Sequence, residues 1–232
     1  MKYKAIKSKL YLHKNQRIFL LMLMHAAKNL YNEALYNVRQ HYFETKCYLD
    51  YYENNKILSK TSDNYRLRGT QQAQSVIRKV DEAMKAFFGS IKSKTKHNVR
   101  LPRYLEKEGY YSLIDRMVYK PNKDYYVLPR GNFIKRVSKY FEEITHSSDK
   151  TENGLETIDS LKLKIETPRC ITTKKIKEIT IKSKYDGKYI EVIHIYEDEE
   201  NGKEETLKKE TMGIDFGYNN LATCAVSTGN NL

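Results

Sequence analysis

Two long stretches with helical periodicity constrain this chain more than any other feature. The first begins at Asn15, a good N-terminal cap, and runs to about Phe43, and the second runs from Thr70 to Ile91. Apolar residues recur in both at steps of three and four, which places them on one helix face. In the first stretch they are Leu20, Met24, Ala27, Leu30, Tyr31, Ala34, Leu35, Val38 and Tyr42, and in the second Ala73, Val76, Ile77, Val80, Ala83, Met84, Phe87, Phe88 and Ile91. We predict a helical region at residues 13–95, with a polar, turn-rich connector at 45–69.

Alternating patterns predict strands on both sides of this helical region. Residues 2–12 alternate between apolar and basic positions, as in a half-buried strand with a basic outer face. Residues 176–185 and 188–197 flank Asp186-Gly187, a strong signal for a two-residue hairpin turn. The expected fold class is therefore α+β, with a β-barrel-like domain from residues 1–12 and 97–200 that the helical region interrupts.

The net positive charge of the chain lies in its first 140 residues. Residues 1–140 hold 29 Lys and Arg against 11 Asp and Glu, a net of +18, whereas residues 141–232 hold 13 against 18, a net of −5. A surplus distributed in this way favours a polyanionic partner over plain solubility.

Basic and aromatic residues interleave between residues 92 and 130, a pattern typical of surfaces that follow phosphates and stack unpaired bases. The alternative is a loop-rich region with solvated charges. The candidate nucleic-acid-binding residues here are Arg100, Arg103, Tyr104, Lys120 and Arg130.

A strand–turn–strand pattern closes the sequence. Met212 and Ile214 belong to a short apolar strand, residues 216–220 supply the Gly and Asn of a turn, and residues 221–226 resume an apolar strand. Asp215 stands where the first strand ends, a rigid position that suits a ligand of a divalent metal ion. The alternative is an ordinary hairpin with a solvent-facing Asp.

The run Gly-Ile-Asp-Phe-Gly-Tyr-Asn-Asn-Leu-Ala-Thr at residues 213–223 resembles the first nuclease motif of the TnpB/OrfB proteins of bacterial insertion sequences, the transposon relatives of type V CRISPR effectors. Residues 27–35 and the helix at 70–91 resemble that family's helical recognition lobe, and the hairpin at 176–197 resembles its last wedge-domain hairpin. The resemblance implies a wedge (OB-like) domain, a recognition lobe, a linker at 201–210 and the start of an RNase H-like (RuvC) domain at 211–232.

Several functional expectations follow from the resemblance alone. The family binds a guide RNA and target DNA, and it cuts the DNA with magnesium. Asp215 matches the first catalytic, metal-binding carboxylate. In relatives the second helix lies beside the short motif that flanks the DNA target, so Tyr51, Gln74 and Arg78 are candidates for contacting nucleic acid, against the alternative of a solvated surface.

Only one of the three expected carboxylates is present, and two-metal cleavage needs several acidic ligands. We therefore expect this polypeptide to bind nucleic acid without cutting it. Two hypotheses compete: the N-terminal portion of an RNA-guided DNA endonuclease, or a nuclease-dead binding module that acts as a repressor or competitor. A ribosomal-type basic protein is the third option, and it does not account for the motif around Asp215.

The sparse cysteines, Cys47, Cys170 and Cys224, have no paired spacing, which argues against a disulfide framework or a structural zinc site. The apolar run 18–23 is too short to span a bilayer, and no signal peptide is evident. We expect a reducing compartment, the bacterial cytoplasm, and no membrane partner.

Overall fold

The computed structural model describes residues 2–65, 69–93, 99–116, 124–128 and 163–198, and it places two further strands within residues 212–226. The elements, in chain order, are β1 (Lys2–Lys9), α1 (Lys14–Thr45), α2 (Tyr51–Thr61), a 3-10 turn (Asp63–Tyr65), α3 (Thr70–Lys92), β2 (Leu113–Asp115), β3 (Tyr125–Leu128), β4 (Leu163–Glu166), a 3-10 turn (Arg169–Ile171), β5 (Ile176–Lys184), β6 (Tyr189–Asp198), β7 (Met212–Asp215) and β8 (Thr223–Val226). Residues 3–197 form one compact unit, and residues 198–232 with residues 1–2 form a second.

The described strands form open antiparallel sheets. Strands β1, β6, β5 and β2 make a four-stranded sheet in that order, and β3 pairs with β4 in a separate two-stranded sheet. The α+β class is thus confirmed, but the expected barrel is not closed among the described residues. At one edge β2 has three paired residues, Leu113 to Asp115, which offer little backbone for a further strand to join.

Helix α1 is longer than predicted at both ends. It starts after His13 rather than at Asn15, because the Gln16 side chain reaches back and accepts a hydrogen bond from the His13 amide at 3.1 Å. It ends at Lys46, whose left-handed backbone (φ 59°) turns its N–H to the carbonyl of Tyr42. The predicted apolar stripe is buried from Leu20 to Val38.

Helix α2 lies where the sequence predicts only a polar connector, so that prediction was wrong. Asp50 caps the helix by accepting from the Glu53 amide at 2.9 Å. Asn54, which resembles a turn residue in the sequence, is buried inside the helix. Its Nδ2 donates to the Ala34 carbonyl at 3.0 Å, and its Oδ1 accepts from Asn37 at 3.1 Å. These tertiary hydrogen bonds offset the low helix propensity of Asn.

The predicted β5–β6 hairpin is confirmed. The Lys188 N–H donates to the Tyr185 carbonyl at 3.0 Å, and the two central residues, Asp186 and Gly187, have φ of 51° and 83°. Arg17 of α1 donates to the Gly187 carbonyl. Glycine suits this position because its φ of 83° strains other residues, and a Cβ would also lie 2.9 Å from a methyl carbon of Leu21 on α1, which would have to shift.

A single hydrophobic core joins helices and sheets within residues 3–197. Its members come from all three helices and from β2 to β6, including Leu23, Ile77, Leu128, Ile179 and Val192. Helix α3 packs on α1 and on β2, so the helical region lies directly against the sheet.

The predicted hairpin of the second unit is also present. Strands β7 and β8 pair antiparallel, with Met212 opposite Val226 and Asp215 opposite Thr223. Asp215 is the last residue of β7, as the sequence predicts. The second strand is described over Thr223–Val226, and residues 221 and 222 of the predicted strand lie outside the described residues.

His194 is a buried titratable group in the sheet. Its Nε2 lies 3.1 Å from the Ser8 hydroxyl of β1, and its ring meets the Tyr126 ring edge-on with centroids 6.3 Å apart. The side chain is fully buried, and this burial lowers the pKa of the imidazole from 6.5 to about 4. His194 is therefore neutral in the folded protein at pH 7.

This burial predicts acid sensitivity. Between pH 6.5 and pH 4 the unfolded chain protonates His194 whereas the folded chain does not, so stability falls as the pH drops through that window. The loss is on the order of 3 kcal/mol by pH 4. His194→Gln should remove most of this component, because an amide does not titrate. The measurement is urea unfolding at pH 7, 6, 5 and 4.5.

His41→Gln, a change of the same type on α1, is the control and should keep the wild-type pH slope. Equal slopes for wild-type and His194→Gln would contradict the assignment.

Candidate nucleic-acid interface

The segment before β2, residues 99–112, is held against α1 by polar side chains. Asn32 makes a two-point contact with the Leu105 backbone: its Nδ2 donates to the carbonyl at 3.0 Å, and its Oδ1 accepts from the amide at 2.8 Å. Lys28, only 3 % exposed, donates to the Lys107 carbonyl at 2.6 Å. These contacts give backbone groups of Leu105 and Lys107 specific partners on α1, so they hold the segment along the helix.

The far end of the segment is held by an aromatic pair. The Tyr111 amide donates to the Met24 carbonyl at 3.0 Å, and the Tyr111 ring lies 4.8 Å from that of Tyr31. Burial raises the pKa of both hydroxyls. Tyr111 is thus part of the packing, although the sequence pattern groups it with the basic and aromatic residues.

Between these attachments and the basic stretch, Tyr104 faces an arginine of α1. The guanidinium of Arg39 lies 4.9 Å from the centroid of the Tyr104 ring and 6.0 Å from that of Phe43. Both rings are exposed. A cation held between two accessible aromatic rings can contact a phosphate while each ring offers a face to a base.

Arg100 and Arg103 precede Tyr104 on the same segment, and both side chains are exposed. The structure therefore brings three of the predicted residues together on one short stretch that also adjoins Arg39.

The other predicted set lies on α2 and α3. The guanidinium of Arg78 lies 4.6 Å from the Tyr51 ring centroid, so these two candidates are in contact. Tyr51 is only 9 % exposed, whereas Tyr52, whose ring packs against it at 5.2 Å, is 76 % exposed. Tyr51 therefore positions Arg78, and the accessible ring is that of Tyr52.

The Gln74 side chain is half-buried and interacts with Tyr65. It hydrogen-bonds the Tyr65 hydroxyl, which also donates to Asn55 Oδ1 at 2.9 Å. Burial raises the pKa of Tyr65. The Gln74 amide can reach a ligand only by giving up or sharing this contact.

Three further predicted residues have no described side chain. Lys120 and Arg130 lie outside the described residues. Asp215 is placed by its backbone at the end of β7, opposite Thr223, and its side chain also lies outside the described part.

Sequence reasoning missed several residues that the structure places in cation–aromatic contacts. Arg39 and Phe43 are four residues apart on α1, a spacing that could have revealed their pairing. On the sheets, Lys9 lies 4.8 Å from the Tyr11 ring and 5.5 Å from that of Tyr189, and Lys164 lies 5.1 Å from that of Tyr125. Lys9 and Tyr11 are two residues apart, whereas Tyr189 and Tyr125 are distant in sequence from Lys9 and Lys164, so no local signal predicts these last two contacts.

Two surface depressions are lined by residues of these cation–aromatic contacts. A groove of about 280 Å³ lies between residues 8–11 and 164–169. An open cleft of about 780 Å³ lies between α1, the end of α2 and the following turn, with Tyr104 at its edge. Its lining from α1 consists of Asn29, Asn32, Glu33, Tyr36 and Asn37.

Across the residues with described side chains, no group of three His, Cys, Asp or Glu is close enough to hold a metal ion. None of the helices in those ranges combines the length and hydrophobicity needed to cross a bilayer.

No model of a known protein family matches this sequence, and no curated protein matches it at a significant level.

The Asn32 contact gives a direct test of how the segment is held. Asn32→Ala should destabilise the protein by about 1 kcal/mol, because the half-buried Leu105 amide and carbonyl exchange their side-chain partner for water. Hydrogen exchange at the Leu105 amide should accelerate more than exchange within α3. Urea unfolding and amide exchange measure the two effects.

Asn29→Ala makes the same chemical change one turn earlier on α1 and controls for helix propensity. A similar loss of stability in both variants would contradict the two-point contact.

Proposed function

We propose that this chain binds nucleic acid through arginines and lysines held over tyrosine and phenylalanine rings, as part of a TnpB/OrfB-type RNA-guided DNA endonuclease. The observation that carries the proposal is the contact of Arg39 with Tyr104 and Phe43 on the surface of α1. The comparable contacts of Arg78, Lys9 and Lys164 support it.

The chemistry of such a contact suits a single-stranded or distorted polynucleotide. The guanidinium pairs with a phosphate oxygen, and the ring stacks on a neighbouring base. Because Asn32 and Lys28 fix the backbone next to Tyr104, the ring does not have to be ordered when the ligand arrives.

The distribution of charge agrees with this role. The surplus of +18 lies in residues 1–140, which contain α1, α2, α3 and the segment with Arg100 and Arg103. A polyanion approaching this part of the chain gains from long-range attraction before any specific contact forms.

In this proposal the partners are a guide RNA and target DNA. Arg78 and Tyr52 are the groups of the α2–α3 cluster that can reach a nucleic-acid edge, since Tyr51 is buried beneath Arg78 and Gln74 bonds Tyr65. Tyr51 and Gln74 then act by orienting these neighbours.

Asp215 is the candidate first ligand for magnesium in the family's nuclease site. A single carboxylate at the end of β7 cannot hold a two-ion centre, which requires several convergent acidic ligands. For residues 1–232 the proposal is therefore nucleic-acid binding alone.

RNA binding should weaken steeply with salt, because each phosphate contact releases counterions. Arg39→Ala should lower the affinity by about tenfold and reduce the salt slope by about one contact. Arg39→Lys keeps the charge but loses the planar stack, so it should restore the slope and only part of the affinity. The measurement is fluorescence anisotropy with a labelled structured RNA between 50 and 300 mM salt.

Lys79→Ala is the matched control, because Lys79 is already paired with Glu82 at 2.7 Å. A flat salt response in the wild-type chain, or equal losses in Arg39→Ala and Lys79→Ala, would refute the proposed interface.

Supercoiled plasmid incubated with the purified chain and magnesium should remain uncut, with or without bound RNA. Asp215→Ala should behave as the wild-type chain does. Magnesium-dependent nicking that Asp215→Ala abolishes would show that the remaining ligands are present and would overturn the proposal of binding alone.

A further inference from the structure

The open cleft beside α1 differs chemically from the rest of this basic chain. Its described lining contains amides, hydroxyls, two carboxylates and two tyrosine rings, but neither lysine nor arginine. A phosphate would find no cation inside it and would be repelled by the carboxylates. The ligand it suits is an uncharged group that is flat and rich in hydrogen-bond donors.

Glu33 is the fixed acceptor of this cleft. The Ser62 hydroxyl donates to its Oε2, and Asn64 Nδ2 donates to its Oε1 at 2.6 Å. Each carboxylate oxygen can accept a further hydrogen bond, so the group is held in place and still available. Because its geometry is set by the turn after α2, it does not have to be ordered when a donor arrives.

Two aromatic rings lie at the cleft. Tyr36 is 54 % exposed, and Tyr104 is exposed with Arg39 at 4.9 Å from its ring. The rings provide surfaces for stacking, and the cation beside Tyr104 lies next to the cleft instead of inside it. A nucleotide fits this division, with its base in the cleft and its phosphate toward Arg39.

We propose that this cleft binds an unpaired nucleobase that carries an exocyclic amino group, with Glu33 accepting from that group. The inference rests on the proposed function, because it names what one part of the nucleic-acid interface recognises. Adenine, cytosine and guanine present an amino donor, whereas the corresponding edge of uracil or thymine presents carbonyl oxygens that the carboxylate repels.

The neighbouring charges favour a base over the ammonium group of a peptide. A lysine side chain could also bond Glu33, but two arginines adjoin Tyr104 and would repel it: Arg39, with its guanidinium 4.9 Å from the ring, and the exposed Arg103, the preceding residue. A neutral base does not meet this repulsion, and its phosphate gains from the same two arginines.

Neutral nucleosides separate base recognition from phosphate attraction. Adenosine, cytidine and uridine are titrated into the full chain and followed by NMR chemical shifts. Adenosine and cytidine should each bind at least about fivefold more tightly than uridine. Glu33→Gln should bring this ratio close to one, because the amide can satisfy either kind of edge.

Tyr36→Ala provides a second variant that leaves the Glu33 contacts in place. It should weaken the binding of all three nucleosides while the preference for the amino-bearing bases persists. Tyr3→Ala, which removes a tyrosine of similar exposure (57 %) from β1, should leave both affinity and ratio unchanged. Deoxyadenosine in place of adenosine shows whether the sugar contributes and so distinguishes an RNA from a DNA strand.

Equal affinity for uridine and adenosine, or a preference that Glu33→Gln leaves intact, would overturn the inference. Binding of lysine amide without binding of any nucleoside would overturn it in favour of a peptide ligand. If salt-dependent RNA binding persists alongside either result, the proposed nucleic-acid interface is retained and only the proposal of a base-binding cleft is refuted.

Discussion

The arrangement of residues 3–197 depends on hydrogen bonds that α1 makes to the elements packed against it. The Lys28 side chain donates to the Lys107 carbonyl, and the Asn32 side chain bonds both the amide and the carbonyl of Leu105. The Ala34 carbonyl accepts a hydrogen bond from the side-chain amide of Asn54. A buried polar group without its partner would cost more than an apolar contact gains, so each of these bonds fixes the position of a neighbouring element. Helix α1 therefore acts as the common support for α2 and for the segment before β2.

This support explains how a surface built from distant residues can be ordered in advance. Tyr104 faces Arg39 because the backbone one residue later is bonded to Asn32. Tyr51 is buried at the start of α2 and supports Arg78 of α3. In both places a packed residue holds a cation next to an accessible ring. These are the two kinds of group that bind a polynucleotide, since the cation pairs with a phosphate and the ring stacks on a base.

Sequence patterns that span a few residues predicted the elements whose structure such short-range signals determine. Apolar periodicity located α1 and α3, and Asp186-Gly187 located the β5–β6 turn, since both signals act over a few residues. Helix α2 was missed because Asn54 is a poor helix former until a tertiary bond satisfies it. The contact of Arg78 with Tyr51 and the cleft around Glu33 join parts of the chain that sequence spacing does not connect. The order of the described strands, β1, β6, β5 and β2, depends on pairing that no single strand encodes.

Ultraviolet crosslinking of bound RNA, followed by mass spectrometry of the attached peptides, tests the central claim most directly. Crosslinks should concentrate on Tyr104 and Phe43, beside Arg39, and on Tyr52, whose ring packs against the Tyr51 ring that Arg78 contacts. Tyr185 at the hairpin tip is as exposed as Tyr52, at 76 %, and should crosslink rarely. Crosslinks spread over the exposed tyrosines in proportion to their accessibility, with Tyr185 equal to Tyr104, would contradict the account.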